Sequence, residues 1–222
     1  MDVVVWGLVA LGAVWVLLAC AGSGPVLAMR NVQLQATAGR AAEALLERVV
    51  ATGAVDAPWL SLNAFDPVAA YQVERMAGIA GLVAWQKRGE RTYVCAYLLA
   101  NGNVLIDIVT ICEQGMLTTG KSKDSQLLPT PPGSYLQSFT ATLAVLYRRH
   151  QEGLQALARL AGMTPLAGQE EFENDFADAL ERQSEFIRSL ALWPLRIPWW
   201  YFVRRGQRHE KTVGQLVRAG KF

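Results

Sequence analysis

Residues 92–112 read TYVCAYLLANGNVLIDIVTIC, and the fold class turns on how this stretch divides. Runs rich in Val, Ile, Leu, Tyr and Cys flank Asn101-Gly102. That dipeptide favours a two-residue hairpin turn because both residues tolerate positive φ. Residues 92–100 and 104–112 are therefore predicted strands. Setting the turn on Asn101-Gly102 places Tyr93, Cys95, Tyr97 and Leu99 against Thr110, Ile108, Ile106 and Val104 on one face. Val94, Ala96 and Leu98 then oppose Val109, Asp107 and Leu105 on the other. Residues 81–86 supply a third strand, turned at Arg88-Gly89. Both faces are mostly apolar, so the sheet is expected to be covered twice, by helices or by a partner. Asp107, an acid inside an apolar strand, is expected to have a partner or to mark a site, or equally to point into solvent at a sheet edge.

Outward from this meander, helical signals dominate. Residues 31–51 carry Val32, Leu34, Ala41, Ala44, Leu45 and Val49 as an approximate helical stripe among Arg40, Glu43, Glu47 and Arg48. Asp66-Pro67 has the form of a helix start, with Asp66 as cap, and predicts a short helix to residue 76. The sequence LLPTPPG at 127–133 is expected to be extended, since its prolines lack amide donors. Ser134 with Gln137 matches a capping box and predicts a helix over 135–160. After the break at 162–168, Glu170, Glu171, Glu173 and Asp175 load the start of another helix that ends before Pro194. The expectation is an α+β fold: an N-terminal transmembrane helix, then a domain with a small antiparallel meander sheet packed by helices. Segments 1–29, 30–189 and 190–222 read as membrane anchor, soluble domain, and aromatic and basic tail.

Val3 to Met29 contains no charged residue. A bilayer core about 30 Å thick needs about 20 apolar residues at 1.5 Å each, and Val3 to Gly22 supplies them. A cleaved signal peptide, with Ala19-Cys20-Ala21 as a small-x-small site, and a lipobox at residues 17–20 are the rival readings. Both normally carry a positive n-region, whereas only Asp2 precedes the apolar run. Arg30, Arg40 and Arg48 follow it, which by the positive-inside rule favours a single-pass protein of the cell membrane with a cytoplasmic domain.

The chain has 21 Lys and Arg against 19 Asp and Glu, a net charge of +2, so no global field favours nucleic acid. Cys95 and Cys112 fall on consecutive strands out of cross-strand register. No disulfide is expected, and reduced thiols suit a cytosolic domain. Residues 115–122, GMLTTGKS, match the phosphate-loop pattern letter for letter. That pattern works only where a helix begins at the Lys-Ser step, and here the proline stretch follows too closely. A polar turn, with a short strand near 116–119, is the plainer reading. Thr118, Thr119, Lys121, Ser122 and Asp124 remain a candidate polar loop for a small anion or partner.

With His150 and His209 as the only histidines, no metal site is expected, and no cofactor is implied. His150, Ser134 and Asp107 have triad residue types, but nothing in the sequence brings them together. His150 follows Arg148-Arg149 and reads as solvated. Near the C-terminus, an apolar aromatic run precedes a cluster of arginines. Trp193, Trp199, Trp200, Arg204, Arg205 and Arg208 are candidate membrane-interface residues, the alternative being that the three tryptophans pack onto the domain while the arginines are solvated. The sequence thus suggests a noncatalytic, membrane-tethered interaction or assembly protein, with the bilayer and an unknown protein as partners. The alternative is a membrane-bound enzyme, a hydrolase or nucleotide-binding protein using the 115–124 loop.

Overall fold

The computed structural model describes residues 2–76, 78–126, 128–168, 171–204 and 206–221. It is a mixed α and β structure around one seven-stranded sheet. The strands are β1 (Gln33–Thr37), β2 (Phe65–Glu74), β3 (Ile79–Lys87), β4 (Thr92–Leu99), β5 (Val104–Cys112), β6 (Gly115–Gly120) and β7 (Ser134–Ser138), adjacent in chain order. Every neighbouring pair is antiparallel except β6–β7, which is parallel. The expected meander is thus the centre of a larger mixed sheet.

Three predicted helices differ. Residues 31–51 split into a single 3-10 turn (Met29–Asn31), β1, and helix α2 (Arg40–Ala51), with Gly39 at φ 56° between strand and helix. The Asp66-Pro67 helix is instead the start of β2. Proline is tolerated there because β1 pairs only with Ala70–Glu74 and the ladder to β3 is bulged between Pro67 and Ala69. Asp66 receives two hydrogen bonds from Arg88, at 3.0 and 2.8 Å. The Ser134-Gln137 capping box is strand β7, whose backbone completes the sheet against β6. The helix after it, α4 (Leu143–Ala161), starts eight residues later than expected.

The hairpin register also shifts by one. Leu98 pairs with Val104, and Leu99 N–H donates to Asn103 O at 2.8 Å, so the turn spans more than Asn101-Gly102. Asn101 Oδ1 accepts from Asn103 N–H at 3.0 Å, an Asx closure of the longer loop. A one-residue slip reassigns every cross-strand partner: Cys95 faces Asp107, Tyr93 faces Val109, and Tyr97 faces Leu105.

Both faces are covered. On one, Val83, Val94, Ile106 and Ile108 pack with Val49 of α2, Leu60 of α3 (Ala57–Leu62), and Leu143 and Leu146 of α4. On the other, Tyr71, Leu82, Ala84, Tyr93 and Cys95 meet Phe172 and Phe176 of α5 (Phe172–Ser189). Cys112 belongs to a separate cluster with Leu117, Leu154 and Leu157, and all three cysteines are free.

The apolar helix α1 (Asp2–Ala28) is long and apolar enough to cross a membrane, a length and composition that a signal sequence also meets. Its C-terminal half packs on α6 (Trp193–Trp199). Gly22 leaves room there for Ile197: a Cβ would stand 2.4 Å from Ile197 Cγ2. Trp15 Nε1 donates to Leu195 O at 2.9 Å, and Ser184 of α5 donates to Val26 O at 3.0 Å. After α6 the chain makes a π-helical turn (Trp200–Arg204) and ends in α7 (Val213–Arg218), whose capping box is Thr212 with Gln215.

Candidate functional site

The one-residue slip in the hairpin builds the site. It turns Asp107 onto the α5 face, where a cavity of about 410 Å³ lies between the sheet and α5, closed on one side by the chain around Leu128 and Pro131. Leu105, Val109, Ile111, Met116, Phe176 and Leu180 make most of its wall apolar, and Asp107, Ser125 and Gln183 supply polar points. Asp107 stands opposite Gly120 in the β5–β6 ladder, and Ser125 Oγ donates to Asp107 Oδ1 at 2.9 Å. Desolvation pushes the Asp107 carboxyl up to about 6, with the Ser125 hydrogen bond opposing the rise. Burial also raises the Cys95 thiol and the Tyr97 phenol. A thiol held neutral is a poor nucleophile. The cavity therefore suits an apolar molecule carrying one hydrogen-bonding group for Asp107.

The N-terminal end of α5 is fastened over this face by acids the sequence suggests only as dipole partners. Tyr71 donates to Glu173 at 2.6 Å and Tyr93 to Asp175 at 2.6 Å. Arg91 forms a two-pronged ion pair with Asp175, whose side chain is 7% exposed. Phe172 packs on the rings of both tyrosines. Desolvation, followed by these hydrogen bonds to carboxylates, raises both phenols.

The opposite face holds a second polar group of residues. His150 is wholly buried, not solvated, because α4 turns it onto the sheet. Its Nε2 lies 2.8 Å from Thr110 Oγ1 and its Nδ1 2.8 Å from Thr119 Oγ1. Thr92 continues the chain from Thr110 at 2.8 Å, and Gln137 donates to Thr119 at 3.0 Å and to Arg149 O at 2.9 Å. Gln137 Oε1 accepts from Val213 N–H at 2.9 Å. Burial, then the Lys87 charge, drops the imidazole to about 3, so it is neutral. Every nitrogen is engaged, which makes this a cross-bracing network for α4, β7 and α7. Neither Ser134 nor Asp107, both on the far side of the sheet, hydrogen-bonds to it. Ser138 and His209 approach at 2.8 Å, and His209 Nε2 lies 3.1 Å from Thr140 and 3.3 Å from Glu210. Ser138 is fully buried, and His209 is half-buried.

The candidate polar loop is divided by the sheet. Thr118 lines the cavity, while Thr119 points to His150 across β6. Lys121 N–H donates to Ile106 O at 2.8 Å, and Ser122 O accepts from Ser125 N–H at 3.1 Å. Asp124 lies in a 3-10 turn (Lys123–Gln126), its side chain outside the described residues. The phosphate-loop residues 115–120 are strand, with backbone paired to β5 and β7, and a four-residue turn stands where the pattern needs a helix.

The tail residues also divide. Trp200, 5% exposed, and half-buried Trp193 pack with Val26, Ile187 and Ile197, whereas Trp199 is 49% exposed. Arg204 and Arg208 line a second cavity of about 280 Å³ with Arg196, and Arg205 lies outside the described residues. Burial and the Arg204 charge lower the Arg208 guanidinium from its ordinary value. Among the described residues no group of three or more His, Cys, Asp or Glu is placed to hold a metal ion. The cavity itself is assembled from segments scattered between Met29 and Gln183, and only Asp107, an acid in an apolar strand, signals it in the sequence. No protein family, characterised protein or solved structure matches this chain.

Proposed function

We propose that the chain is a membrane-tethered, noncatalytic binding protein. In this reading α1 and the segment around α6 enter the same bilayer, and the α+β domain receives an apolar ligand between its sheet and α5. One observation carries the membrane part. Leu192, Leu195, Trp199 and Phe202, exposed by 73, 42, 49 and 60%, stand on the segment that docks along the C-terminal half of α1. Two stretches about 180 residues apart thus contribute to one exposed apolar surface, a combination suited to lipid rather than water. Arg30, Arg40 and Arg48 after α1 favour a cytoplasmic domain. The enzymatic alternative has less support, since the 115–120 backbone is committed to strand pairing and Cys95 is held as a thiol.

Alkaline extraction of membranes, with protease protection of a C-terminal tag in sealed cells and inverted vesicles, tests this. The expected result is an intact, extraction-resistant chain cleaved only in inverted vesicles. A shortened chain released outside the cell overturns the tether and identifies the apolar segment as a signal.

A further inference from the structure

Helix α5 closes one end of its sheet face and stands away from the other. At its start Phe172 packs on Tyr71 and Tyr93. Its far half packs on α1 instead, where Ser184 donates to Val26 O at 3.0 Å and Ile187 meets Val26. Between these attachments burial alternates along the strands. Leu105, Asp107, Val109 and Ile111 of β5 are half-buried, whereas Ile106, Ile108 and Thr110 on the opposite face are buried. Tyr97 and Leu99 of β4, and Met116 and Thr118 of β6, are half-buried beside them. Apolar side chains of three interior strands thus border the cavity of about 410 Å³, and a hydrocarbon chain lying in it would supply the contacts that α5 does not.

The wall narrows the choice of ligand. Met29, the residue after α1, is part of it, so the cavity adjoins the foot of the apolar helix. Asp107 accepts one hydrogen bond, from Ser125. An ionised carboxylate has about four acceptor positions, so it can take a further donor. Asp175, which also lines the cavity, is paired with Arg91. None of the described residues lining the cavity is Lys, Arg or His, so an anionic head would meet Asp107 with no cation among them. A hydroxyl gives up less hydration than an ammonium on entering such a wall. The volume lies near the low end of the range of about 300–1,000 Å³ for ligand cavities, which suits one hydrocarbon chain and not the two of a phospholipid.

We propose that this cavity binds a single-chain lipid with an uncharged hydroxyl head, which donates to Asp107 while the chain lies along β5 and β6, and that it rejects anionic heads. The proposal rests on the reading above of a membrane-tethered domain that receives an apolar ligand.

The test uses the full chain in phosphatidylcholine nanodiscs at pH 8, photolabelled with a tetradecanol that carries a diazirine in its chain. Labelled peptides are mapped by mass spectrometry, with labelling of α1 by bilayer-dissolved alcohol as the internal standard. Label is expected on peptides covering 105–118 and 172–183. Unlabelled tetradecanol should compete for it at least tenfold better than tetradecanesulfonate or tetradecyl methyl ether at equal mole fraction. Asp107→Asn, whose amide can also donate, should cut the disadvantage of the sulfonate at least tenfold. Ala179→Trp, which fills the cavity from α5, should remove the cavity label and leave that on α1. Label confined to α1 and α6, equal competition by the sulfonate or the ether, stronger competition by tetradecylamine, or a preference unchanged in Asp107→Asn overturns the proposal. Alkaline extraction of the same chain keeps the two readings apart. A chain that is extracted yet labelled in the cavity with the same preference refutes the tether and not the ligand. An extraction-resistant chain with no cavity label refutes the ligand and leaves the tether.

Discussion

Asp107 and Gly120 face each other across the β5–β6 ladder, and the hydrogen bond that Ser125 gives Asp107 exists because Gly120 has no side chain. A Cβ at position 120 would stand 2.1 Å from Ser125 Oγ and 2.8 Å from Asp107 Oδ1. Gly120→Ala must therefore displace the Lys123–Gln126 turn and leave the carboxyl without its donor. A loss of about 1–3 kcal/mol of unfolding free energy is expected by urea denaturation. An unchanged midpoint would mean that the turn moves aside freely and does not define the cavity.

Asp107 also gives stability a pH dependence of unusual sign. Its folded pKa is raised from 3.8 to about 6, so the folded state binds the proton more tightly than the unfolded chain. The stabilisation from that proton is complete below 3.8 and is lost as pH rises through about 6. A shift of this size corresponds to about 3 kcal/mol at full ionisation. Asp107→Asn is expected to exceed the parent in stability at pH 8 and to lose that advantage at pH 4. Denaturation midpoints measured across this range give the difference directly.

His150 works in the opposite sense. Its folded pKa is depressed from 6.5 to about 3, so its contribution is full above 6.5 and is lost as pH falls toward 3. His150→Phe removes the two hydrogen bonds to Thr110 and Thr119 and is expected to cost about 2–4 kcal/mol at pH 7.5. The cost should shrink as pH falls through this window. A pH-independent cost would show that the imidazole is not held neutral inside the fold.

The Arg91–Asp175 pair holds the start of α5 over the cavity, and Tyr93 shares the same carboxylate. Asp175→Ala leaves a guanidinium with 13% side-chain exposure without this partner, with an expected cost of about 3–5 kcal/mol. Tyr93→Phe removes one hydrogen bond and should cost about 1 kcal/mol. Hydrogen exchange resolved by segment is the deciding readout. In Asp175→Ala the amides of α5 should exchange faster than those of α4, and uniform acceleration across both would assign the pair to global stability instead.

The sequence is most legible where local pattern and tertiary role agree. Residues 104–112 are β5 as expected, and α5 begins and ends close to its acidic and proline signals. It misleads where a short-range signal competes with sheet pairing. Ser134 and Gln137 form a capping box on paper, but Gln137 is wholly buried and its amide joins β7 to α4 and α7. The hairpin pairs one residue away from the register that Asn101-Gly102 predicts because Asn101 closes a longer loop, and that single step decides which face Asp107 occupies. The short strand expected near 116–119 is β6, but nothing in the sequence shows that β7 joins it or that α4 packs on it, so His150 beside Arg148 and Arg149 reads as solvated. The arginine and tryptophan cluster of the tail was legible as composition, whereas the division into buried Trp200 and exposed Trp199 depends on docking against α1.

That docking is itself testable at Gly22. With a Cβ 2.4 Å from Ile197 Cγ2, Gly22→Ala cannot keep α6 in its observed place. The exposed apolar residues of α1 before Trp15 are untouched, so membrane retention of the chain should persist. The amides from Ile197 to Arg204 should lose protection, because Ile197 and Trp200 are 9% and 5% exposed only while α6 is seated. Ile197→Ala removes the clashing Cγ2 and should restore part of that protection in the Gly22→Ala background. Neighbours in contact couple by about 0.5–3 kcal/mol in such a double-mutant cycle. Additive effects of the two substitutions would show that α1 and α6 do not pack through this pair.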